Sequence, residues 1–153
     1  MNLASPFKST STRTFLVIPV LLLAVEWLLR REQLQLQPFG VPLLIWGYLQ
    51  YRLSGMYRTR LGGGGPGFRN PPERLVTSGI FAFTRNPMYL GHLLFLAGLA
   101  LTLQSYIGAA LLLLHIPWYQ SRVTRDEDRL RGLFGAEFLD YTRRVKRWIP
   151  YAV

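Results

Sequence analysis

The chain contains no cysteine among its 153 residues. That excludes a disulfide framework, a thiol nucleophile and any cysteine-based metal site. Histidine is scarce as well. His92 and His115 stand 23 positions apart, a spacing that matches no short metal motif, so no metal site is expected. Acidic residues number 8 against 18 Lys and Arg. The most telling absence is local: the 36 residues from Asn86 to Ser121 include not one Asp, Glu, Lys or Arg.

A basic balance points to nucleic acid or to an anionic membrane surface. Here the charges are missing from the long apolar runs, which favours the membrane, and no nucleic-acid partner is expected. The length suits one domain, 1–153. Four apolar segments are visible, at 14–29, 37–51, 88–103 and 106–119. Each alone is shorter than the roughly 20 residues that cross a hydrocarbon core. The last two are decisive together. At about 1.5 Å per residue, the charge-free stretch makes roughly 54 Å of helix, or two crossings near 27 Å each. Gln104-Ser105 supplies the polar turn between them. Lipid cannot satisfy exposed peptide groups, so the spans are expected to be helices, with kinks at Pro19, Pro42 and Pro117.

Lys8 and Arg13 ahead of the run from Phe15 to Val25 resemble the start of a signal peptide. No small-x-small cleavage site follows, because Ala24 leads into Val25, Glu26 and Trp27. The segment is read as an uncleaved first span. Glu26 within it is costly in lipid and is expected to face the helix bundle or the far interface.

Four spans place both termini and the 52–85 loop on one side. That side carries 16 of the 18 Lys and Arg residues; only Arg30 and Arg31 fall opposite. By the positive-inside tendency it is cytoplasmic. The expected location is a bacterial inner membrane, as a multi-pass integral membrane protein. The loop contains Leu61-Gly-Gly-Gly-Gly-Pro-Gly67, read as a flexible hinge because no Lys-Ser/Thr follows to make a phosphate cradle.

Beyond Ser121 the chain turns amphipathic. Glu127, Leu130 and Phe134 share one helix face, and Phe138, Tyr141, Val145 and Trp148 another, with Gly135 between the two helices. Arg143, Arg144, Lys146 and Arg147 beside Trp148 and Tyr151 suit a membrane-surface anchor. The expected fold class is therefore an all-α integral membrane protein. It has about four transmembrane helices and a C-terminal amphipathic helical cap, 122–150, on the cytoplasmic side.

Two segments carry candidate chemistry. Pro87 before an apolar run suits the first turn of a helix, where its missing N–H costs nothing. The first turn of such a helix points N–H groups outward, where they can bind a carboxylate or another anion, and Arg85 adds charge there. Asp126-Glu127 brings carboxylates to the same membrane face. The pair reads as a site with a carboxylate on one side and a helix N-terminus with Arg on the other. On the helix after Pro87, Tyr89, His92, Leu93 and Leu96 share a face. His92 is read as a packed bundle histidine, and His115 near Pro117 likewise.

These segments resemble the signature of the isoprenylcysteine carboxyl methyltransferase and phospholipid methyltransferase superfamily, small helical membrane enzymes. Its pattern is Arg-His-Pro-x-Tyr-x-Gly, a helical hairpin, Glu-Glu, Leu, Phe-Gly, Tyr and a terminal Ile-Pro. The chain shows Arg85-Asn86-Pro87-Met88-Tyr89-Leu90-Gly91, Asp126-Glu127, Leu130, Phe134-Gly135, Tyr141 and Ile149-Pro150. The lead-in Leu75-Val-Thr-Ser-Gly79 fits too, so the match covers about half of the chain. It departs at Asn86, where histidine is usual, at Asp126, where the first Glu is usual, and at Phe138, where a Tyr is common. Asn86 can hydrogen-bond but cannot titrate.

The resemblance implies S-adenosyl-L-methionine as cofactor. It implies a pocket lined by Arg85, Asn86, Pro87, Tyr89, Leu90 and Gly91, with Glu127 on the cofactor's amino group or sugar and Tyr141 and Arg147 closing it. No catalytic base is assigned. The implied acceptor is a membrane lipid or a lipidated small molecule. Carboxyl O-methylation is favoured, because a carboxylate needs no base near neutral pH. Three alternatives stay open: a phospholipid amine N-methyltransferase, an NADPH-dependent membrane reductase with a similar Arg-His-Pro-x-Tyr segment, and a non-enzymatic membrane partner protein.

Overall fold

The computed structural model describes residues 9–31, 33–63 and 71–149. Residues 64–67 of the expected hinge 61–67, and the terminal Pro150 and Tyr151, lie outside them. The described residues are helical, without a strand. The four long helices are α1 (Thr10–Leu29), α2 (Val41–Gly62), α3 (Pro87–Leu103) and α4 (Tyr106–Arg144). Short 3₁₀ turns at Pro38–Gly40 and Gly79–Ala82 lead towards α2 and α3.

The helices outrun the apolar segments that announce them. Expected at 37–51, α2 instead continues through Arg52, Arg58 and Arg60 to Gly62, since nothing in that stretch breaks a helix. The segment at 106–119 and the start of the cap at 122 form one uninterrupted helix, with Pro117 inside it. Gly135 is the true break: its φ of 48° and ψ of −119° lie outside the helical region, where the absence of a Cβ removes the steric cost. The expected kink at Pro42 does not materialise. Pro42 sits in the first turn of α2, where no intrahelical hydrogen bond is lost. Pro19 follows a π-helical turn, Arg13–Val17, which absorbs its missing backbone donor. Among the described residues, Thr10–Leu29 alone is long and apolar enough by itself to cross a membrane; Pro87–Leu103 is a shorter apolar helix.

The chain divides into two compact units, and each long helix after α1 contributes to both. Unit one comprises residues 1–48 and 92–116. Its core is Leu22, Leu99 and Leu103, with Ile18, Leu44 and Leu111 packed around them. Backbones approach closely at Gly98, where a Cβ would stand 2.6 Å from the Leu44 nitrogen and 2.8 Å from the Gly40 carbonyl oxygen. The Phe15 ring lies 4.8 Å from the ring of buried His92, which packs as a bundle residue. The α3–α4 turn falls at Gln104-Ser105, as the polar pair suggests. Gln104 takes a left-handed φ of 46°, and the Ser105 and Gln104 N–H groups donate back to the Ala100 and Leu101 carbonyls at 2.9 and 3.2 Å. The Ser105 hydroxyl then accepts the Gly108 N–H at 2.8 Å, capping α4.

Ser105 also donates its hydroxyl to Glu26. Glu26 accepts from Arg30 Nε at 2.8 Å, and Arg30 reaches on to the Gln104 carbonyl at 2.8 Å. The costly carboxylate is thus buried and satisfied inside its own unit, as expected for an acid in an apolar helix. The same unit exposes apolar side chains: Leu21, Leu28 and Leu29 of α1 and Leu113 and Leu114 of α4 are each more than half exposed.

Unit two comprises residues 49–91 and 117–153. Tyr119, Val123, Phe138 and Tyr141 are fully buried in it. The Gly62 carbonyl ending α2 accepts the Glu73 and Arg74 N–H groups at 2.7 and 2.9 Å, drawing the next segment back onto the helix end. Gln50 of α2 donates its side-chain amide to the Pro87 carbonyl at 3.0 Å, tying α2 to the first turn of α3. The functional candidates lie in this unit.

Candidate functional site

The entry to α3 is built by Thr84, Asn86 and Pro87. Thr84 accepts the Asn86 N–H at 3.3 Å and donates its hydroxyl to the Arg147 carbonyl at 3.1 Å. The Asn86 carbonyl accepts the Leu90 N–H at 3.0 Å, so the helix begins at Pro87 as its sequence requires. The Asn86 side chain does not cap the helix. It turns to donate to Glu127 Oε1 at 3.0 Å and to the Arg147 carbonyl at 3.3 Å. Arg85 donates its backbone N–H to the Lys146 carbonyl at 3.0 Å. Thr84, Arg85 and Asn86, leading into α3, are therefore fastened to the second signature segment.

Glu127 is the centre of that fastening. Its side chain is 4% exposed. Oε2 accepts from Arg147 Nε at 3.1 Å and Nη2 at 2.8 Å, while Oε1 accepts from Asn86 and lies 3.5 Å from Arg85 Nε. One buried carboxylate so faces two guanidiniums and an amide. Burial pushes the Arg85 guanidinium below its usual range, and Glu127 opposes that push. Charges removed from water are held here by pairing and hydrogen bonds, and taking away one partner strands the rest.

A cleft of about 80 Å³ opens beside this knot. Arg85, Asn86, Pro87, Met88 and Tyr89 form one wall; Asp126, Arg129 and Leu130 of α4 another; and Arg58, Pro72 and Phe81 complete it. Tyr89 donates its hydroxyl to Asp126 Oδ2 at 2.6 Å, joining the two signature segments a second time. The Tyr89 and Tyr119 rings lie 5.4 Å apart.

Of the residues expected in a pocket, Arg85, Asn86, Pro87 and Tyr89 line this cleft. Leu90, Gly91, Glu127, Tyr141 and Arg147 do not. Glu127 and Arg147 hold Asn86 and Arg85 in place, whereas Tyr141 donates its hydroxyl to the Phe81 carbonyl at 2.6 Å. Burial, first of all, raises the Tyr141 hydroxyl above its ordinary value of 10.0; Arg85 opposes the rise and Glu127 adds to it. The cleft carboxylate is Asp126 rather than Glu127.

Three wall residues escape a reading by motif: Arg58, Asp126 in this role, and Arg129. A signal for Arg58 exists. Gln50, Ser54 and Arg58 recur every four residues along α2, and Gln50 and Ser54 are buried. A polar stripe at helical spacing marks the face turned to a polar partner. Asp126, Arg129 and Leu130 follow the same i, i+3, i+4 rule on α4.

The family profile described as phospholipid methyltransferase matches residues 37–137. The chain belongs to the phospholipid methyltransferase family. It is 31% identical over 83 residues to a protein-S-isoprenylcysteine O-methyltransferase of Schizosaccharomyces pombe, covering 54% of this chain and 35% of that one. It is 36% identical over 76 residues to the cobalt-zinc-cadmium resistance protein CzcN of Cupriavidus metallidurans, covering 50% of this chain and 35% of that one. The chain thus spans about a third of the length of these curated relatives. Its fold is shared with the eukaryotic intramembrane Ras methyltransferase ICMT (isoprenylcysteine carboxyl methyltransferase). The TM-score is 0.63 at 19% identity, over 99% of this chain and 54% of that one.

Proposed function

We propose that this member of the phospholipid methyltransferase family is an integral-membrane methyltransferase. It takes its methyl group from S-adenosyl-L-methionine and gives it to a lipid-borne carboxylate at the cytoplasmic face. The observation that carries this reading is the cleft in unit two, where the first turn of α3 and Arg85 face Asp126. Adenosylmethionine brings an activated methyl group on a sulfonium, together with a carboxylate and an ammonium group.

The residues present fit that group. Arg85 lines the cleft with its Nε 3.5 Å from Glu127 Oε1, and its guanidinium brings there the positive charge suited to a carboxylate. Asp126 on the opposite wall suits the ammonium end. Asn86, Pro87 and Tyr89 would line the cofactor's place. Glu127 and Arg147 would act through them by fixing Asn86 and Arg85, and Leu90, Gly91 and Tyr141 would support the same wall. The chain's work in this scheme is alignment and exclusion of water. A carboxylate acceptor needs no proton removed. An amine would need a base, and Asp126 already accepts the Tyr89 hydroxyl. The S. pombe relative's name, an isoprenylcysteine O-methyltransferase, supports the oxygen acceptor. The family's own name keeps phospholipid amine N-methylation as the second reading.

The exposed leucines of α1 and α4 support a lipid environment, since a helix that is apolar on its outward side is suited to a membrane span. Four crossings with cytoplasmic termini remain the proposed topology. Because the chain has no native cysteine, single cysteines introduced at Gln104 and Arg144 report sidedness cleanly, and labelling from the same side would overturn it.

The decisive test is thermal unfolding of the detergent-solubilised protein. A ligand of the native state at about one hundred times its Kd stabilises by roughly 2.7 kcal/mol. Adenosylmethionine is expected to raise the Tm and NADPH to leave it unchanged. The reverse would favour a reductase, and no shift with either would favour a non-enzymatic partner protein.

A further inference from the structure

Residues 143–149 gather Arg143, Arg144, Lys146 and Arg147 and include no acid. The structure divides these four cations. Arg147 donates to Glu127, and the next residue, Trp148, donates its Nε1–H to Gln120 Oε1 at 2.7 Å. Arg143, Arg144 and Lys146 are exposed. Arg143 meets Asp140 at 3.5 Å, but both side chains are largely in the open, where an ion pair contributes little. Two large apolar side chains join them at the surface, Ile149 at 55% and Phe83 at 66% exposure. Phe83 comes from a distant part of the chain. Its neighbour Thr84 donates to the Arg147 carbonyl and so carries it to this segment.

The segment is fastened to both ends of the charge-free stretch 86–121. The Lys146 carbonyl accepts the N–H of Arg85, the residue just before that stretch. Gln120, the partner of Trp148, is its last residue but one. An unbroken helix from Ser121 to Arg143 would carry the cations roughly 33 Å away from the stretch. The break at Gly135 lets the chain return instead. Three cations and two exposed apolar side chains therefore stand where charged chain gives way to apolar chain. In a membrane hairpin that is the level of the lipid headgroups.

We infer that segment 143–149, with Phe83, is a docking surface for anionic lipid headgroups, and that lipid on its outer side steadies the cleft wall held by its inner side. Lipid phosphates suit Arg143, Arg144 and Lys146, and the acyl boundary suits Phe83 and Ile149. On the inner side, the Lys146 and Arg147 carbonyls accept from Arg85, Thr84 and Asn86, and the Arg147 guanidinium holds Glu127. Restraining this segment restrains the entry to α3. The docking rests on the membrane reading alone; its effect on the cleft rests also on the methyl-transfer reading.

The test uses the full chain in nanodiscs of phosphatidylcholine, alone or mixed with phosphatidylglycerol. Because the chain has no cysteine, an environment-sensitive dye on Ile149→Cys reports docking. Its emission is expected to shift to the blue with phosphatidylglycerol and to return in high salt, which screens exposed charges. Each basic residue near an anionic surface strengthens binding roughly fivefold, so three contribute about a hundredfold. Arg143→Gln, Arg144→Gln and Lys146→Gln together should therefore abolish the shift. Arg60→Gln, Arg74→Gln and Arg131→Gln, also exposed, remove the same charge elsewhere and should keep it. Calorimetric titration of adenosylmethionine should show at least about fivefold tighter binding with phosphatidylglycerol, a coupling of ordinary size. That difference should vanish in the first triple variant and persist in the second.

A dye that responds equally to the two lipid compositions overturns the docking surface, as does a shift kept by the first triple variant or lost in the second. The same shift on adding glycerol phosphate to phosphatidylcholine nanodiscs would reassign the cations to a soluble anion. Docking without a change in adenosylmethionine affinity overturns the link to the cleft. No adenosylmethionine binding in either composition sinks the methyl-transfer reading and that link, while the dye still decides the docking. A protein that stays dispersed without lipid or detergent sinks the membrane reading itself.

Discussion

Asn86 and Glu127 are 41 residues apart in the chain and 3.0 Å apart at their side chains, amide nitrogen to carboxylate oxygen. The bond closes the two signature segments on each other. The Asn86 amide donates to that carboxylate and to the Arg147 carbonyl at every pH, so the link does not titrate at its Asn86 end.

Removing the carboxylate of that link should be costly. In Glu127→Gln the buried Arg85 side chain, 12% exposed, and Arg147 face a neutral amide. Stranding a buried charge costs about 3 kcal/mol. The expected outcome is a Tm lower by several degrees, with weaker protection by adenosylmethionine. Asn86→Leu removes one hydrogen bond to a charged group and one to the Arg147 carbonyl, and should cost about 2–4 kcal/mol. A double-mutant cycle between positions 86 and 127 should show a coupling of at least about 0.5 kcal/mol. A coupling near zero would mean that the two residues do not act through each other.

Alkaline pH should loosen unit two through Tyr141. Its hydroxyl is buried on the Phe81 carbonyl, and its pKa in the fold lies above the ordinary 10.0. A group whose folded pKa is raised contributes fully below its unfolded pKa and loses that contribution as pH climbs through the folded value. Stability should fall as pH rises beyond 10. Tyr141→Phe should cost about 1 kcal/mol near neutral pH and flatten the alkaline decline. Thermal unfolding of both proteins across that range measures it; parallel alkaline slopes would assign the decline to other groups.

Two glycines within helices should answer oppositely to alanine. At Gly98 a Cβ meets the Leu44 nitrogen at 2.6 Å, backbone that cannot yield cheaply, so Gly98→Ala should destabilise by about 1–3 kcal/mol. At Gly55 nothing lies within 4 Å. There alanine keeps only its helix advantage, up to about 1 kcal/mol. Paired Tm measurements decide it, and a Gly98→Ala protein as stable as the wild type would mean that α2 and α3 are not packed backbone to backbone.

The sequence by itself determined where the helices lie and several of their junctions, though not the reach of α2 or the continuity of α4. Charge-free length demands helix, Pro87 can only sit in a first turn, Gln104-Ser105 interrupts the longest apolar run, and Gly135 tolerates the non-helical backbone that breaks α4. All of these are local consequences of side-chain type and backbone freedom. Even Glu26 followed, because a carboxylate in an apolar helix has to find partners, although its partner Ser105 lies 79 residues away and is not written in the motif.

What the tertiary structure alone decided is which of two adjacent carboxylates faces the cleft. Asp126 and Glu127 look interchangeable in a motif. Neighbouring residues on a helix point about 100° apart, so only one can turn to the cleft while the other turns to Arg147 and Asn86. The place of Arg58 was decided in the same way. Its stripe with Gln50 and Ser54 was legible, but not that it would meet Arg129, because the rotation of α2 against α4 is set by packing among residues distant in the chain.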